Sequence, residues 1–334
     1  MDIQQIRPQW ARLCLRVEGF VRRELGLDLH GRRILFALSG GADSTALLCI
    51  FCLLQRKAGF YMRAAHLHHM LRPEADQEAR FVSRLCRETG VDCSLGESRV
   101  DIYARRMQMG REQAGRVIRY RFLHGLADRQ DCDYIFVGHH LNDLAEDMLM
   151  RQVRGAGWPG LAGMPGINGK VVRPLLLTPG ASLRALLEEL GQGWMEDASN
   201  QDRSYMRNRV RRDILPLFFK ENPGFLDQVV SLWRQGNMDR DFFQNRLARL
   251  PRRDESGEVI LRGEDLNSLH PALRCRAYKM ALEELGPGQV LFENILALDR
   301  AWAFGRGGKC VQFPGEKTAR VKGRNIIFSP GKKE

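Results

Sequence analysis

The chain has 334 residues, of which 44% are hydrophobic, so it is long enough for two domains and is not an intrinsically disordered protein. Its longest apolar run covers residues 46–54, far short of the roughly 20 residues that a membrane-spanning helix needs. The formal net charge of +12 favours a polyanionic partner such as a nucleic acid. Because the first residues form no hydrophobic signal core, we expect a cytoplasmic protein with no membrane partner.

The first elements predicted along the chain are a helix, a strand, a glycine-rich turn and a second helix. Residues 1–30 carry apolar side chains at helical spacing and predict a helix that covers the sheet. The run Arg33–Leu38 has the length of a strand, and an apolar run of helical length follows the turn at Ser39–Ser44. This order of strand, tight turn and helix is the arrangement that builds an anion site.

The turn reads Ser-Gly-Gly-Ala-Asp-Ser and predicts a binding site for the phosphate groups of a nucleotide. Glycines let the backbone fold back closely, so unpaired N–H groups and the positive end of the next helix face the anion. Hydroxyl groups add donors, and Asp43 is a candidate ligand for the Mg²⁺ that accompanies a nucleotide. The candidate residues of this nucleotide site are Ser39, Gly40, Gly41, Ala42, Asp43, Ser44, Thr45 and His66.

Neither of two common nucleotide-binding motifs fits this turn. It lacks the lysine of Gly-x-x-x-x-Gly-Lys-Ser/Thr, and its glycines are adjacent rather than spaced as in Gly-x-Gly-x-x-Gly. It resembles the pyrophosphate loop (PP-loop) of N-type ATP pyrophosphatases, which cleave ATP to AMP and pyrophosphate. The alternative is a serine- and glycine-rich turn that opens an ordinary helix.

Further strands and helices alternate after the turn. The predicted strands are Met62–His69, Val91–Leu95 and Asp133–Gly138, and the predicted helices are Pro73–Thr89 and Gly110–Gln130. This alternation predicts an α/β fold with a doubly wound parallel sheet. Ligands of such sheets bind at the carboxyl ends of the strands.

Charged residues near these strand ends are candidates for chemistry. Asp143 and Glu146 are three residues apart, on one face of a helix that opens where the strand before them ends. Two carboxylates there can share a metal or bind an ammonium group, or they can merely complement the helix dipole. Together with Asp43 they favour a functional site. Arg116 and Arg119 form a row on another helix, which is either solvated or faces phosphate.

The C-terminal part has a different character. Residues 151–166 are rich in glycine and proline and predict a mobile loop, a candidate lid for the nucleotide site. We place a PP-loop catalytic domain at residues 1–216 and a smaller, mostly helical domain at residues 217–334, whose basic residues suit a nucleic acid. This second domain ends in a short β-meander with basic turns, which either contacts nucleic acid or is simply solvated.

The eight cysteines include one closely spaced pair, Cys49 and Cys52. Both lie in the apolar helix after the turn, so we interpret them as buried thiols. No second Cys-x-x-Cys motif completes a metal site, and neither zinc nor an iron–sulfur cluster is expected.

Three signatures of the chain resemble the tRNA(Ile)-lysidine synthetase family. The first is His139-His140-x-x-Asp143-x-x-Glu146 with the glycine-rich run that follows it, and the second is Arg116-x-x-Arg119-Tyr120. The third spans residues 196–211, with the pattern Glu-Asp-x-Ser-Asn-x-Asp-x-x-Tyr-x-Arg-Asn-x-x-Arg. One departure is Asn142, which stands where many members have aspartate.

The resemblance implies a fold, a reaction and partners. The fold is that of PP-loop ATPases, which are adenine nucleotide alpha hydrolase-like. The reaction joins lysine to C2 of the wobble cytidine in the CAU anticodon of tRNA(Ile), through an adenylated tRNA, with ATP and Mg²⁺. The product lysidine changes decoding from AUG to AUA. Another PP-loop tRNA-modifying enzyme, such as a 2-thiocytidine thiolase, is the alternative, and a homodimer is left open as the oligomeric state.

The resemblance also implies roles for individual residues. Asp143 and Glu146 are expected to bind lysine. The expected catalytic residues are Asp43, Asp143, Glu146, Arg116 and Arg207. The expected tRNA-binding residues are Arg119, Arg154, Arg209, Arg211, Arg212, Lys317 and Lys322.

Overall fold

The computed structural model describes residues 3–68, 75–196, 203, 205–286, 288, 290–305 and 307–331, without the side chains of residues 56, 75 and 252. The chain divides into two compact units. The first comprises residues 1–150 and 163–232, and the second comprises residues 151–162 and 233–334. The division predicted between residues 216 and 217 stays a prediction. Within the described residues, no helix is long and apolar enough to cross a membrane.

The first unit is built on a six-stranded sheet with the strand order β3-β2-β1-β4-β6-β5. All neighbouring strands are parallel except β5 and β6, which form an antiparallel edge hairpin. The predicted doubly wound sheet is therefore confirmed. The edge hairpin was not predicted, because its two strands have two residues each and are too short to show a period of two. The strands are β1 (Arg33–Ala37), β2 (Tyr61–His68), β3 (Asp92–Glu97), β4 (Tyr134–Phe136), β5 (Ile167–Asn168) and β6 (Val171–Val172).

Helices cover both faces of this sheet. Single-turn 3-10 helices lie at Ile3–Gln5 and Gly160–Ala162, and π-helical turns lie at Phe20–Glu24 and Val210–Ile214. The helix predicted over residues 1–30 therefore begins later and ends earlier than expected. The α-helices are α1 (Pro8–Gly19), α2 (Ala42–Ala58), α3 (Ala75–Thr89), α4 (Val100–Arg106), α5 (Arg111–Arg129), α6 (Leu141–Val153), α7 (Gly180–Glu189), α8 (Met206–Arg209) and α9 (Leu215–Glu221).

Successive side chains of β1 point to opposite faces of the sheet and contribute to two separate layers of the core. Ile34 and Phe36 pack against α1, α2, α3 and α7, whereas Leu35 packs against α5 on the opposite face. Phe36 contacts Phe51 of α2 and Phe136 of β4, with ring centroids 5.6 and 5.5 Å apart. Burying each ring contributes about 1.5–3 kcal/mol. This packing holds β1 and β4 in place, and both strands end at the candidate site.

The second unit contains a five-stranded antiparallel sheet with the order β7-β8-β11-β10-β9. The predicted meander is β9 to β11, and two short earlier strands extend it. Its strands are β7 (Arg252–Arg253), β8 (Val259–Leu261), β9 (Cys310–Phe313), β10 (Lys317–Lys322) and β11 (Asn325–Ser329). The remaining α-helices are α10 (Phe225–Leu247), α11 (Gly263–Asn267), α12 (Pro271–Glu284) and α13 (Phe292–Ala303).

The glycine-rich loop that was predicted to be a mobile lid packs against α10 in its first part, and its mobility stays a prediction. Its first part, residues 151–162, belongs to the second unit and packs on α10. Trp158 Nε1 donates to Asp239 Oδ2 at 2.5 Å, and Gly236 leaves room for Ala162, whose methyl group a Cβ at position 236 would overlap. This first part of the loop therefore contacts the second unit through a hydrogen bond and a close approach of Ala162 to Gly236.

Candidate active site

The PP-loop joins the end of β1 to the start of α2. Gly40 has a φ of +89°, a left-handed conformation that favours glycine, and its carbonyl accepts a hydrogen bond from Met195 N at 2.9 Å. Gly41 is the N-cap of α2, and no side chain caps the helix there. The first N–H groups of α2 therefore remain available to an anion at the carboxyl edge of the sheet.

The hydroxyl groups of the loop mainly shape the loop itself. Ser44 Oγ donates to Gly41 O at 3.1 Å and accepts from Ser39 N at 3.2 Å. Thr45 is fully buried, and its hydroxyl lies 3.4 Å from Gly40 O. In this arrangement the Thr45 hydroxyl contacts the loop itself, and its contact with phosphate stays a prediction.

Gly138 lets the end of β4 approach this loop, a feature that sequence reasoning missed. A Cβ at this position would lie 3.0 Å from both Asp43 C and Ser44 N. Any larger residue would push the loop away from the segment that follows β4. The signal was present in the sequence, because Gly138 directly precedes the first family signature.

A line of three polar side chains runs from the PP-loop to α6. His140 Nε2 lies 3.5 Å from Asp43 Oδ2 and 3.7 Å from Asp143 Oδ2. His140 Nδ1 accepts a hydrogen bond from Asn142 N at 3.2 Å, so the ring proton belongs on Nε2, between the two carboxylates. Asp143 Oδ2 also accepts from His140 N at 3.0 Å, which fixes the first turn of α6. The predicted convergence of Asp43 and Asp143 is present in the structure.

Asp43 has the properties of a cation ligand. Its Oδ1 atom is buried and has no hydrogen-bond partner among the described residues, although the side chain as a whole is 37% exposed. An unsatisfied carboxylate oxygen beside a phosphate-binding loop suits Mg²⁺, which binds through one or two carboxylates and the phosphates of its nucleotide. In the described residues no group of three or more His, Cys, Asp or Glu side chains forms an all-protein metal site.

Asp143 and Glu146 are joined to two arginines. Arg207 Nη2 donates to Asp143 Oδ1 at 2.7 Å, and Arg207 Nε donates to Glu146 Oε2 at 2.9 Å. Arg211 Nε donates to Glu146 Oε1 at 2.6 Å, and Arg211 Nη2 donates to Asp143 Oδ1 at 3.0 Å. Both carboxylates are buried, whereas the two arginine side chains are about one-third exposed. We call these four residues the carboxylate–arginine cluster.

Electrostatics favour the charged form of every group in this cluster for which a shift is resolved. Burial opposes ionisation of Asp143, but His140 and Arg207 hold its pKa well below its usual range. Burial likewise opposes the charge of Arg207 and of Arg211, yet the two carboxylates raise both pKa values. Removing one partner from such a buried set costs about 3–5 kcal/mol, because another charge is left unpaired.

The cluster bears on two expectations. Arg211 was expected to contact tRNA, and the structure instead directs its guanidinium at Asp143 and Glu146. The carboxylates expected to bind lysine already accept hydrogen bonds from two guanidinium groups. Their role in lysine binding stays a prediction.

A second cationic group surrounds His139. Burial lowers the pKa of His139 to about 3, with further lowering by Arg173, Arg207 and Arg116, so the ring is neutral. Its Nδ1 atom is buried without a hydrogen-bond partner in the described part of the chain. Arg116 lies over the ring of Tyr120, with Cζ 4.9 Å from the centroid.

Arg173 is the site residue that sequence reasoning missed. It follows β6, is 4% exposed and donates to Pro165 O at 2.8 Å. Burial lowers its pKa, while Tyr120 raises it, and its Nε atom has no hydrogen-bond partner among the described residues. A buried guanidinium with an unsatisfied donor at the carboxyl edge of the sheet is suited to an anion.

His66 occupies the end of β2 beside the loop. Its Nδ1 atom lies 2.9 Å from Leu38 O and must donate to that carbonyl, so Nε2 is an acceptor. Burial lowers its pKa, and Nε2 is buried without a partner among the described residues. His66 therefore offers a neutral acceptor to a bound donor.

Apart from Arg211, the basic residues expected to bind tRNA are either buried or exposed. Lys317 contradicts the expectation: it is 2% exposed and donates to Leu282 O at 2.9 Å and to Gly286 O at 2.5 Å, so it holds the end of α12. Arg209 is exposed and donates to Arg203 O. The other exposed residues of this set are Arg119, Arg154, Arg212 and Lys322.

Some of the predicted residues lie outside the described part of the chain. They are Asp197, Ser199, Asn200 and Asp202 of the third signature, and His69 at the end of the predicted second strand. Cys49 is buried as expected, whereas Cys52 is half-buried; burial raises the pKa of Cys49 to about 12 and that of Cys52 to about 11.

Comparison with known proteins agrees with this geometry. The PP-loop domain family matches residues 17–218. The tRNA(Ile)-lysidine synthase of Nitratidesulfovibrio vulgaris is 41% identical over 336 residues, which cover 94% of this chain and 97% of that protein. The enzyme of the same name from Thermosipho africanus is 33% identical over 67% of this chain, and the match spans about half of that protein (54%).

Among solved structures, the U34-tRNA thiolase NcsA from Methanococcus maripaludis, with its [4Fe-4S] cluster, shares the fold. It superposes with a TM-score of 0.55 at 19% identity, over 66% of this chain and 77% of the other. The family match over more than half of the chain and the near-full-length match to a lysidine synthase lead to one conclusion. The chain belongs to the tRNA(Ile)-lysidine synthase (synthetase) family of ATP-using PP-loop enzymes.

Proposed function

We propose that this enzyme joins L-lysine to C2 of the wobble cytidine in the CAU anticodon of tRNA(Ile). The observation that carries the proposal is the position of His140 between Asp43 of the ATP loop and Asp143 of the buried carboxylate pair. His140 Nε2 lies 3.5 Å from Asp43 Oδ2 and 3.7 Å from Asp143 Oδ2. An ATP site alone would serve many reactions. A carboxylate pair beside it suits an amine as the second substrate.

In the first step, the C2 oxygen of the cytidine attacks the α-phosphorus of ATP. The oxygen–phosphorus bond forms, the bond to the β-phosphate bridge breaks, and pyrophosphate leaves. The free N–H groups at the start of α2 stabilise the charge that develops on the phosphate oxygens. Arg116 and the buried Arg173 are suited to hold the phosphate of the adenylated tRNA.

Asp43 would hold Mg²⁺ through its unsatisfied Oδ1 atom. When bound, the ion neutralises charge on the phosphates of ATP. His66, with its free acceptor Nε2, suits an amino or hydroxyl group of the nucleotide. Ser39, Gly40, Gly41, Ala42 and Ser44 shape the loop around the phosphates.

In the second step, the lysine amine attacks C2, the bond from C2 to oxygen breaks, and AMP leaves with that oxygen. The incoming ammonium must first lose a proton, and the buried carboxylates Asp143 and Glu146 of α6 are the candidates to accept it. We infer that the ammonium replaces some of the hydrogen bonds that Arg211 now makes. Arg207, which bonds both carboxylates, would stay and also contact the adenylate.

The tRNA itself would contact the exposed arginines and the second unit. Arg119, Arg154, Arg209 and Arg212 are exposed, as is Lys322 in β10. A protein with a net charge of +12 attracts RNA from a distance, and individual guanidinium groups then contact phosphates.

The alternative, thiolation of cytidine, requires a reactive sulfur carrier. The thiols nearest the loop lie inside α2, and burial raises their pKa values, which disfavours the nucleophilic thiolate. The relatives of high coverage are lysidine synthases. Lysine transfer is therefore the better proposal.

An isotope experiment tests the proposed reaction. The enzyme is incubated with ATP, ¹³C-labelled lysine and a tRNA(Ile) whose wobble cytidine carries ¹⁸O at C2. We expect mass spectrometry to find ¹³C in the modified nucleoside and ¹⁸O in the released AMP. Retention of ¹⁸O in the tRNA, or a product without lysine, would refute the mechanism. The methionine tRNA with the same anticodon is the matched control substrate.

A further inference from the structure

A row of three arginines lies on the outer face of α3. Arg80, Arg84 and Arg87 are spaced by four and three residues, so they project from one side of the helix. All three are exposed, and with Leu95 of β3 they line a shallow surface groove of about 400 Å³. We call these three residues the α3 arginine stripe.

In the part of the chain that the structure describes, the stripe belongs to no ion-pair network. Within the described residues, none of its three guanidinium groups has a carboxylate within salt-bridge distance, although exposed acids such as Glu88 and Asp92 occur nearby in the sequence. Like charges one turn apart cost a helix about 0.2–0.5 kcal/mol per pair. The stripe therefore opposes the stability of α3, whose opposite face (Val82, Leu85 and Cys86) already anchors it in the core.

The position of the stripe relates it to the ATP loop. Phe81 and Val82, the neighbours of Arg80, are packed at Gly40: their side-chain atoms lie 3.6 and 3.5 Å from where a Cβ of Gly40 would be. From Arg80 the stripe extends for two turns, about 10 Å, towards the C-terminal end of α3. It thus runs beside β3, the outermost strand, away from the nucleotide site.

We propose that the α3 arginine stripe binds the phosphate backbone of the RNA substrate. The inference rests on the proposed function, which makes an RNA the substrate. Three guanidinium groups without a carboxylate partner among the described residues complement successive phosphates, and the exposed Leu95 adds an apolar contact for a sugar or base. Protein partners with acidic segments are a separate class that the binding test distinguishes.

Equilibrium binding of a tRNA(Ile) transcript at several salt concentrations tests the stripe. The triple variant Arg80→Gln, Arg84→Gln, Arg87→Gln should raise the Kd at least about tenfold near 0.1 M salt. It should also lower the slope of log K against log salt by about 2 to 3, because roughly one counterion is released per phosphate contact. The triple lysine variant keeps the charge and should bind within about threefold of the wild type.

The matched control removes the same charge elsewhere on the first unit. The variant Arg12→Gln, Arg16→Gln, Arg22→Gln changes three exposed arginines of α1 and its π-helical turn, and its salt slope should fall by less than one. Equal Kd values and slopes for the two glutamine variants would overturn the proposal. Equal thermal unfolding midpoints show that both variants are folded.

The test also separates this inference from the proposed reaction. At saturating tRNA the stripe variant should still form lysidine at the wild-type rate, because the stripe acts in binding. A wild-type enzyme that forms no lysidine would refute the proposed function. If the wild-type enzyme forms lysidine and the stripe variant binds tRNA normally, only the proposed role of the stripe is refuted.

Discussion

Each unit of the molecule buries carboxylates against arginines, and the two arrangements differ in what surrounds them. In the second unit, Asp299 accepts hydrogen bonds from Arg274 Nε at 2.8 Å, from Arg274 Nη2 at 3.0 Å and from Tyr278 OH at 2.9 Å. The remaining Arg274 nitrogen donates to Leu269 O, and the guanidinium lies over Trp302. This arrangement satisfies its own polar groups.

The carboxylate–arginine cluster of the first unit has the same residue types but unsatisfied neighbours. Asp43 Oδ1, His66 Nε2, His139 Nδ1 and Arg173 Nε are all buried without hydrogen-bond partners among the described residues. An unpaired buried polar atom costs about 1–3 kcal/mol. Four of them around one sheet edge indicate groups arranged for ligands.

The comparison teaches that a buried ion pair alone does not identify an active site. The Asp299 cluster stabilises a fold, whereas the first cluster adjoins polar atoms that have no hydrogen-bond partner among the described residues and are suited to a ligand. Variants of the first cluster should therefore affect the reaction, and variants of the Asp299 cluster should affect stability.

The largest effect is expected from Asp43→Asn. The amide cannot replace an anionic ligand of Mg²⁺, so pyrophosphate release should fall by about 10³-fold. Stability should change little, since Asp43 Oδ1 has no partner to lose in the described structure. Parallel assays of pyrophosphate release, tRNA binding and thermal unfolding check this. Normal turnover in the variant would remove Asp43 from the mechanism.

The converse is expected for Asp299→Asn. Removing its charge leaves Arg274 unpaired in the second unit and should destabilise that unit by about 3 kcal/mol, measured by denaturant unfolding. Adenylation by the folded fraction should be unchanged. The double variant Asp299→Leu, Arg274→Met should recover much of the stability, because well-packed apolar residues replace both charges. A loss of adenylation by folded Asp299→Asn would contradict the structural role.

Whether a contact in the site can be predicted from the sequence depends on how far apart its two residues lie along the chain. Asp43, Asp143 and Glu146 were located by motif and by the rule that parallel strands end at one edge, and the structure joins Asp43 to Asp143 through His140. The pairing of Glu146 with Arg211 was not predicted, because the two are 65 residues apart and nothing local connects them.

Other misses have similar physical causes. The strands β5 to β8 have only two or three residues, too few for a period of two to be visible. Arg173 sits in a run of apolar residues, which the composition presents as core. Lys317 was interpreted by its charge alone, and only the fold shows that it is buried against two carbonyl groups.

A smaller and more selective effect is expected from Glu146→Gln. The amide keeps the size of the side chain and still accepts from Arg207, but it cannot take a proton from lysine. In single-turnover assays with ATP saturating, lysidine formation should slow by about 10²-fold, and adenylation of the tRNA by less than tenfold. Asp147→Asn, on the same helix, is the control. Slower adenylation with an unchanged dependence on lysine would assign Glu146 to the first step.

The smallest effect concerns the exposed and buried cations of β10. Lys322 and Arg320 are exposed, whereas Lys317 in the same strand is buried. Because β9 to β11 supply core residues such as Phe328, deleting this tail would unfold the second unit, and point variants are the sharper tool. Arg320→Gln with Lys322→Gln should raise the Kd for tRNA about three- to tenfold and lower the salt slope by up to about 2.

Lys317→Met should instead lower stability, because the carbonyls of Leu282 and Gly286 lose their donor, and should leave the salt slope unchanged. An altered slope for Lys317→Met, or an unchanged slope for the double variant, would show that exposure in β10 does not decide which cations meet RNA.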